Sequence, residues 1–154
     1  MKIKNRGFTL IELIVTLAVV AIMTTLALPS FRTTIMNNRL TTQANEFITD
    51  LNIARSEAVK QGNTITITSN NGNNWANGWA ITDSGGTTLR VHGALDGTST
   101  LSGSAGTITY QRTGFISGGT TLTFDLCDDR SGETGRRVTI LSTGRPSIAD
   151  LTCS

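Results

Sequence analysis

A nearly uninterrupted apolar run close to the N-terminus constrains this 154-residue chain more than any other feature. From Leu10 to Leu28 most residues are aliphatic. A helix of about 20 residues that rises ~1.5 Å per residue reaches ~30 Å, the thickness of the hydrocarbon core of a bilayer. The run therefore predicts a membrane-spanning helix.

Two features set this run apart from a simple membrane anchor. A basic leader, formed by Lys2, Lys4 and Arg6, stops at Gly7 directly before it, and Glu12 lies inside it. An unpaired carboxylate is costly in lipid, so an intramembrane glutamate needs a partner. An anchor would account for the length and the basic flank but not for Glu12.

An ordinary secretory signal peptide also fits poorly. Its apolar region has about 7–15 residues and is followed by a cleavage site of small residues. Here the run is longer, and Pro29-Ser30-Phe31 offers no such site.

The segment Lys-Asn-Arg-Gly-Phe-Thr-Leu-Ile-Glu-Leu resembles the N-terminus of type IV prepilins and type II secretion pseudopilins. The resemblance implies that a prepilin peptidase removes residues 1–7 by cutting after Gly7. It also implies that Phe8 becomes an N-methylated N-terminus and that Glu12 pairs with the Phe8 amine of a neighbouring subunit.

Charge and cysteine content fit an exported protein. The basic leader favours a cytoplasmic position for residues 1–7, which places the rest of the chain in an oxidising compartment. The even pair Cys127 and Cys153 then suggests a disulfide. Without the three leader charges the chain has ten basic and eleven acidic residues, so the pI of 8.8 is no evidence for a nucleic-acid partner. We expect a single-pass protein of the bacterial inner membrane with a periplasmic domain, which later enters a pilus or pseudopilus.

The helix is expected to continue beyond the membrane. Residues 8–35 form its transmembrane and assembly half, with a kink at Pro29, and residues 36–61 its amphipathic half. Apolar residues there recur at steps of three and four, and Gly62 ends the helix. The stripe comprises Leu40, Ala44, Phe47, Leu51, Ala54 and Ala58. The solvated face is expected to carry Arg39, Gln43, Asp50, Arg55, Glu57 and Lys60.

Residues 62–154 alternate short strand patterns with Gly-rich and Asn-rich turns, which favours an antiparallel β domain. Residues 93–106 are expected to form a loop with weak strand content. The predicted strands are Thr64–Thr68, Trp79–Thr82, Thr87–Val91, Thr107–Tyr110, Leu122–Leu126 and Arg137–Leu141.

Most of the chain resembles the GspH/FimT branch of pseudopilins and minor pilins. The resemblance rests on Leu51–Ala58, Gly78–Trp79, Thr113–Gly114 and Ser142–Arg145. It implies an α+β fold in which the long N-terminal helix packs against two small antiparallel sheets.

The sequence predicts no enzyme, no cofactor and no metal site. His92 is the single histidine, and neither a nucleophile motif nor a phosphate-binding glycine pattern is present. The acidic residues around Cys127 lack the spacing of an EF-hand, so a solvated turn is the preferred interpretation. They are Asp125, Asp128, Asp129 and Glu133.

The arginines of the C-terminal region are a candidate nucleic-acid site, although a solvated surface is the preferred interpretation. If Arg136, Arg137 and Arg145 lie on one face they can contact phosphates. Some FimT-like minor pilins bind DNA in natural transformation through a Gly-Arg-x-Arg motif. Here Gly144–Ser147 reads Gly-Arg-Pro-Ser, without the second arginine.

Three functions remain open at this point. The chain is expected to be a structural minor pilin that helps to initiate or cap a type IV pilus, with roles in twitching motility and DNA uptake. The alternatives are the H-type pseudopilin of a type II secretion system and a DNA-binding minor pilin. The partners are other pilin or pseudopilin subunits, the prepilin peptidase and the inner membrane.

Overall fold

The computed structural model describes residues 8–154, except for the side chains of residues 26–30 within the helix. One helix, α1 (Leu10–Gln61), is followed by eight strands. The chain divides into two compact units, Met1–Met36 and Asn37–Ser154, and α1 contributes to both. The division of α1 into a transmembrane half and an amphipathic half, and the kink at Pro29, stay predictions.

Helix α1 ends where the sequence predicts. Gly62 adopts φ of 64° and the Asn63 N–H donates to the Ala58 carbonyl at 3.2 Å. This is the Schellman arrangement, in which a left-handed glycine lets the chain turn back and pair an otherwise open carbonyl.

The strands of the second unit are all antiparallel. They are β1 (Ile65–Asn71), β2 (Asn74–Asp83), β3 (Thr88–His92), β4 (Thr100–Gly103), β5 (Thr107–Tyr110), β6 (Leu122–Cys127), β7 (Thr134–Ile140) and β8 (Pro146–Thr152). The sheet order is β5-β1-β2-β4-β6-β7-β8, and β3 pairs with β2. This confirms the α+β class.

The number of sheets differs from the prediction of two. Strand β2 has ten residues and pairs with β1 from Asp83 to Asn74. Its other edge pairs with β3 and, through Asn74 and Ser102, with β4. The Gly103 N–H also donates to the Asn73 carbonyl at 2.9 Å. These contacts join the two halves into one eight-stranded sheet. Two of its strands were missed: β4, which lies in the predicted loop, and β8, which pairs with β7.

The core lies between α1 and the sheet. All six residues of the predicted apolar stripe are buried. The Phe47 ring meets those of Trp75, Trp79 and Phe124 edge-on, at centroid distances of 5.5, 5.0 and 5.1 Å. Such pairs add to the stabilisation from burial, so this cluster fixes the helix against β2 and β6.

Two residues assigned to the solvated face of α1 are buried instead. Gln43 is 6% exposed, and its amide donates to the Asp96 carbonyl at 3.1 Å. Asp50 is 1% exposed. Both lie beside the apolar stripe, so the sheet and its loops cover a wider sector of α1 than the stripe alone indicates.

Candidate functional site

The N-terminus of α1 is closed by a capping box. Thr9 precedes the first helical residue, and Glu12 follows it by three positions. The Thr9 N–H and hydroxyl both donate to Glu12 Oε2 at 3.3 Å, and the Glu12 N–H donates to Thr9 Oγ1 at 3.3 Å. Reciprocal bonds of this kind satisfy amides that the first helical turn leaves open. Sequence reasoning missed this role, although the spacing Thr-x-x-Glu is its signal.

Phe8, the expected mature N-terminus, lies directly before this cap and is 85% exposed. Gly7, the expected cleavage position, lies outside the described residues. The box places the Glu12 carboxylate within one turn of Phe8. Glu12 therefore has a partner within its own chain before any neighbouring subunit is considered.

The first half of α1 presents apolar side chains in every direction. Each is between 47% and 76% exposed in the isolated chain: Leu10, Ile11, Leu13, Ile14, Val15, Leu17, Val19, Val20, Ile22 and Met23. A helix that is hydrophobic all round is normally covered by protein or lipid.

Among the residues described, no helix reaches the length and apolar character needed to cross a membrane.

Asp50 fastens α1 to two strands. Its Oδ2 accepts the Trp79 Nε1–H of β2 at 2.9 Å, and its Oδ1 lies 2.7 Å from Arg90 Nε of β3. The second contact is an ion pair rather than an aligned hydrogen bond. A buried carboxylate needs such partners, because an unpaired one is strongly destabilising. The His92 ring stacks on Trp79, with the two ring centroids 4.0 Å apart, so this histidine packs against the core indole.

The three arginines of the predicted phosphate site are not gathered on one face. Arg136 and Arg137 are neighbours on β7, so their side chains point to opposite faces. Arg136 pairs with Asp150 at 2.9 Å and donates to Thr41 Oγ1 of α1 at 3.1 Å. Arg137 makes two bonds to Asp125, at 2.6 and 2.7 Å. The condition for a phosphate clamp is therefore not met.

Arg145 lies at the other end of the β7–β8 hairpin. It directly precedes Pro146, which pairs with Ile140 of β7, whereas Arg136 pairs with Asp150. Arg145 is thus five positions from the row of Arg136, and at ~3.3 Å per residue the two arginines are separated along the strand by roughly 16 Å.

The acidic residues around Cys127 each have a protein partner. Asp128 is bonded by Arg130, whose Nη2 lies 2.6 Å from its Oδ2. Asp129 accepts the Thr98 hydroxyl at 2.8 Å. The hydrogen bonds from Arg130 hold the pKa of Asp128 below its ordinary value. Arg130 also donates to Asn37 of α1 at 2.8 Å, so this turn is attached to the helix rather than free in solvent.

Cys127 and Cys153 form the expected disulfide, with their Cα atoms 5.8 Å apart. The bond joins the end of β6 to the residue after β8. A Cβ atom on Gly135 would overlap Cys153 Sγ, so only glycine fits beside the bond. The disulfide thus fixes the C-terminal strand to the sheet.

The glycine motifs behind the family resemblance meet in space. Gly114 and Gly144 have φ of 79° and 78°, and a Cβ on Gly144 would overlap the Gly114 carbonyl oxygen. From α1, Arg55 donates to the carbonyls of Gly114 at 3.0 Å and Thr143 at 3.4 Å. One helical arginine therefore holds two turns together.

Residues 43–144 match the family described as Type II transport protein GspH. The chain belongs to the GspH family. Residues 2–28 match the prokaryotic N-terminal methylation motif. No curated protein matches the chain.

Two crystal structures of the type IV minor pilin FimU from Pseudomonas aeruginosa are similar to this GspH-family chain. In the first, 28% of residues are identical, the TM-score is 0.67, and the alignment covers 73% of this chain and 89% of FimU. In the second crystal form, 28% of residues are identical, the TM-score is 0.62, and the alignment covers 71% of this chain and 91% of FimU. Together with the methylation motif, these matches identify a GspH/FimT-like type IV pilin. Its family and fold are those of structural pilin subunits.

Proposed function

We propose that the chain is a minor pilin of a type IV pilus that helps to initiate or cap the filament. The observation that carries the proposal is the N-terminus, where a methylation motif leads into a capped helix with apolar side chains exposed on all sides. Such an apolar surface must be buried, first in lipid and then against the helices of other subunits. The likeness to FimU over most of both chains favours a pilus.

The processing that we propose follows from the motif. A prepilin peptidase cuts after Gly7 and Phe8 is N-methylated. The first half of α1 anchors the subunit in the bacterial inner membrane, and residues 62–154 lie in the periplasm until the subunit enters the filament. The Cys127–Cys153 disulfide fits an oxidising compartment.

Glu12 has two successive roles in this proposal. In the single chain its Oε2 caps the helix through Thr9. In the filament its carboxylate pairs with the Phe8 amine of a neighbouring subunit. A carboxylate in an apolar layer is costly without a cation, so the pair favours subunits set in the correct register.

A second candidate is the H-type pseudopilin of a type II secretion system, which the description of the matched family favours. The two roles differ in what deletion of the gene abolishes. Loss of surface pili and twitching motility supports the pilus, whereas loss of exported enzymes with normal pili supports the secretion system.

The test of the assembly role compares Glu12→Ala with Thr9→Ala in the bacterium that produces the protein. Both changes break the capping box, but only Glu12→Ala removes the carboxylate. We expect Glu12→Ala to reach the membrane and to be lost from sheared filaments, while Thr9→Ala is incorporated. Normal incorporation of Glu12→Ala would contradict the proposal.

A further inference from the structure

Strand β8 forms one end of the sheet, and its outer edge carries backbone groups that β7 does not use. The Cys153 N–H donates to the Glu133 carbonyl at 3.0 Å, so this row of the β7–β8 ladder is a hydrogen-bonded row. Alternate pairs in an antiparallel ladder exchange hydrogen bonds. Ser147, Ala149 and Leu151 therefore bond to β7, and the N–H and C=O groups of Ile148, Asp150 and Thr152 point away from it.

The other end strands of the sheet are less open. The outer side of β5 is partly covered by the following loop, because the Ser117 N–H donates to the Thr109 carbonyl at 2.8 Å. Strand β3 has five residues, and its pairing with β2 shifts register between Ile81 and Thr82. Strand β8 pairs with β7 over seven residues in unbroken register.

The end of β8 is held firmly. The disulfide ties Cys153 to β6, and the Gly132 N–H donates to the Cys153 carbonyl at 2.8 Å. Exposed edges are usually protected by lysines, prolines or bulges. Within β8 the protection is limited to Pro146, at the first position, and Asp150. The strand is thus long, regular and fixed in place, as a template for another strand needs to be.

We infer that β8 is an assembly edge, where the outward backbone groups of Ile148, Asp150 and Thr152 pair with an extended segment of a neighbouring pilin subunit of different sequence. This inference rests on the proposed function. The side chains beside the edge suit a mostly uncharged strand, since Ser147 and Ala149 are small and Ile148 is 40% exposed. The Asp150 carboxylate is already paired with Arg136 at 2.9 Å, so at this position the edge offers its backbone groups to the partner.

A second copy of this chain is a poor occupant. Antiparallel pairing of two β8 strands follows a two-fold axis perpendicular to the sheet. That axis reverses the direction of the α1 segment that packs on the sheet. A two-fold interface also closes on itself, whereas a filament grows through head-to-tail contacts between its subunits. Symmetric pairing centred on Asp150 would also oppose two carboxylates, which is unfavourable.

Hydrogen exchange at single-residue resolution tests the inference on the unaltered protein. In the detergent-extracted full chain, we expect the amides of Ile148, Asp150 and Thr152 to exchange much faster than those of Ser147, Ala149 and Leu151. In the assembled filament, exchange of the first three should slow by at least about tenfold. Slow exchange in the extracted chain, or fast exchange in the filament, would overturn the inference.

A backbone substitution gives an independent test. Asp150→Pro removes an outward N–H and leaves the bonds to β7, whereas Asp150→Ala removes the same side chain and keeps the N–H. We expect Asp150→Ala to be incorporated into filaments, and Asp150→Pro to be reduced at least about tenfold, a change worth ~1.4 kcal/mol. Formation of the disulfide in both variants checks that they fold. Equal incorporation of the two would contradict strand pairing.

Failure of this inference is distinguishable from failure of the proposed function. If β8 plays no part, Asp150→Pro assembles normally while Glu12→Ala still does not. If the chain is not a pilus subunit, the unaltered protein is missing from filaments and both inferences fall together.

Discussion

Removal of the Cys127–Cys153 bond should lower the free energy of unfolding by about 3.5 kcal/mol. The two cysteines are 26 positions apart, and the loop that they close restricts the unfolded chain by roughly that amount. In the folded state the backbone of Cys153 keeps its hydrogen bonds to Gly132 and Glu133, at 2.8 and 3.0 Å. The loss should therefore arise mainly from a freer unfolded state, with the C-terminal strand still in place.

Urea unfolding of the full chain, followed by tryptophan fluorescence, measures this loss. Both tryptophans, Trp75 and Trp79, are buried, so their emission reports the core. With a slope near 2 kcal/mol per molar urea, the midpoint for Cys127→Ser/Cys153→Ser should fall by roughly 2 M. Reduction of the unaltered protein should give the same midpoint, and reductant should not affect the variant. A loss under about 1 kcal/mol would refute the loop-closure reasoning.

Three further changes test the contacts of the domain. Asp50→Ala should lower the free energy of unfolding, measured in urea, by about 2–3 kcal/mol, because it leaves a buried indole N–H without an acceptor and an arginine without its partner. Asp50→Asn should lower it less. Gly144→Ala should lower the melting temperature more than Gly132→Ala, since both have φ of 78° but only Gly144 faces a carbonyl. Below about pH 4 the free energy of unfolding should fall as Asp128 is protonated, because Arg130 holds the pKa of Asp128 lower in the folded chain than in the unfolded chain. Asp128→Asn should make the free energy of unfolding less dependent on pH in this range.

The parts of the fold that follow a local period could be predicted from the sequence. The stripe from Leu40 to Ala58 steps by three and four residues, and every member of it is buried. The cap at Gly62 and the strand Thr107–Tyr110 also follow local rules and have the predicted bounds. Such features depend on residues close in sequence, so a single chain specifies them.

The parts that depend on distant partners could not be predicted. Asp50 has the character of a surface residue, and only the folding of β2 and β3 against α1 brings Trp79 and Arg90 to it. Strand β8 begins with Pro146 and has a mixed pattern, so it becomes a strand through its pairing with β7. The predicted strand began at Arg137 and left Arg136 outside it, whereas β7 begins at Thr134 and contains both arginines, which therefore point to opposite faces.

The mass of the mature N-terminus tests the account most directly. Protein extracted from membranes and from sheared filaments should be digested and analysed by mass spectrometry. We predict an N-terminal peptide that begins at Phe8 and carries one methyl group on its α-amine, with no peptide from residues 1–7. A chain that retains Met1, or one cut after residue 28, would contradict the assignment of this protein as a processed pilin subunit.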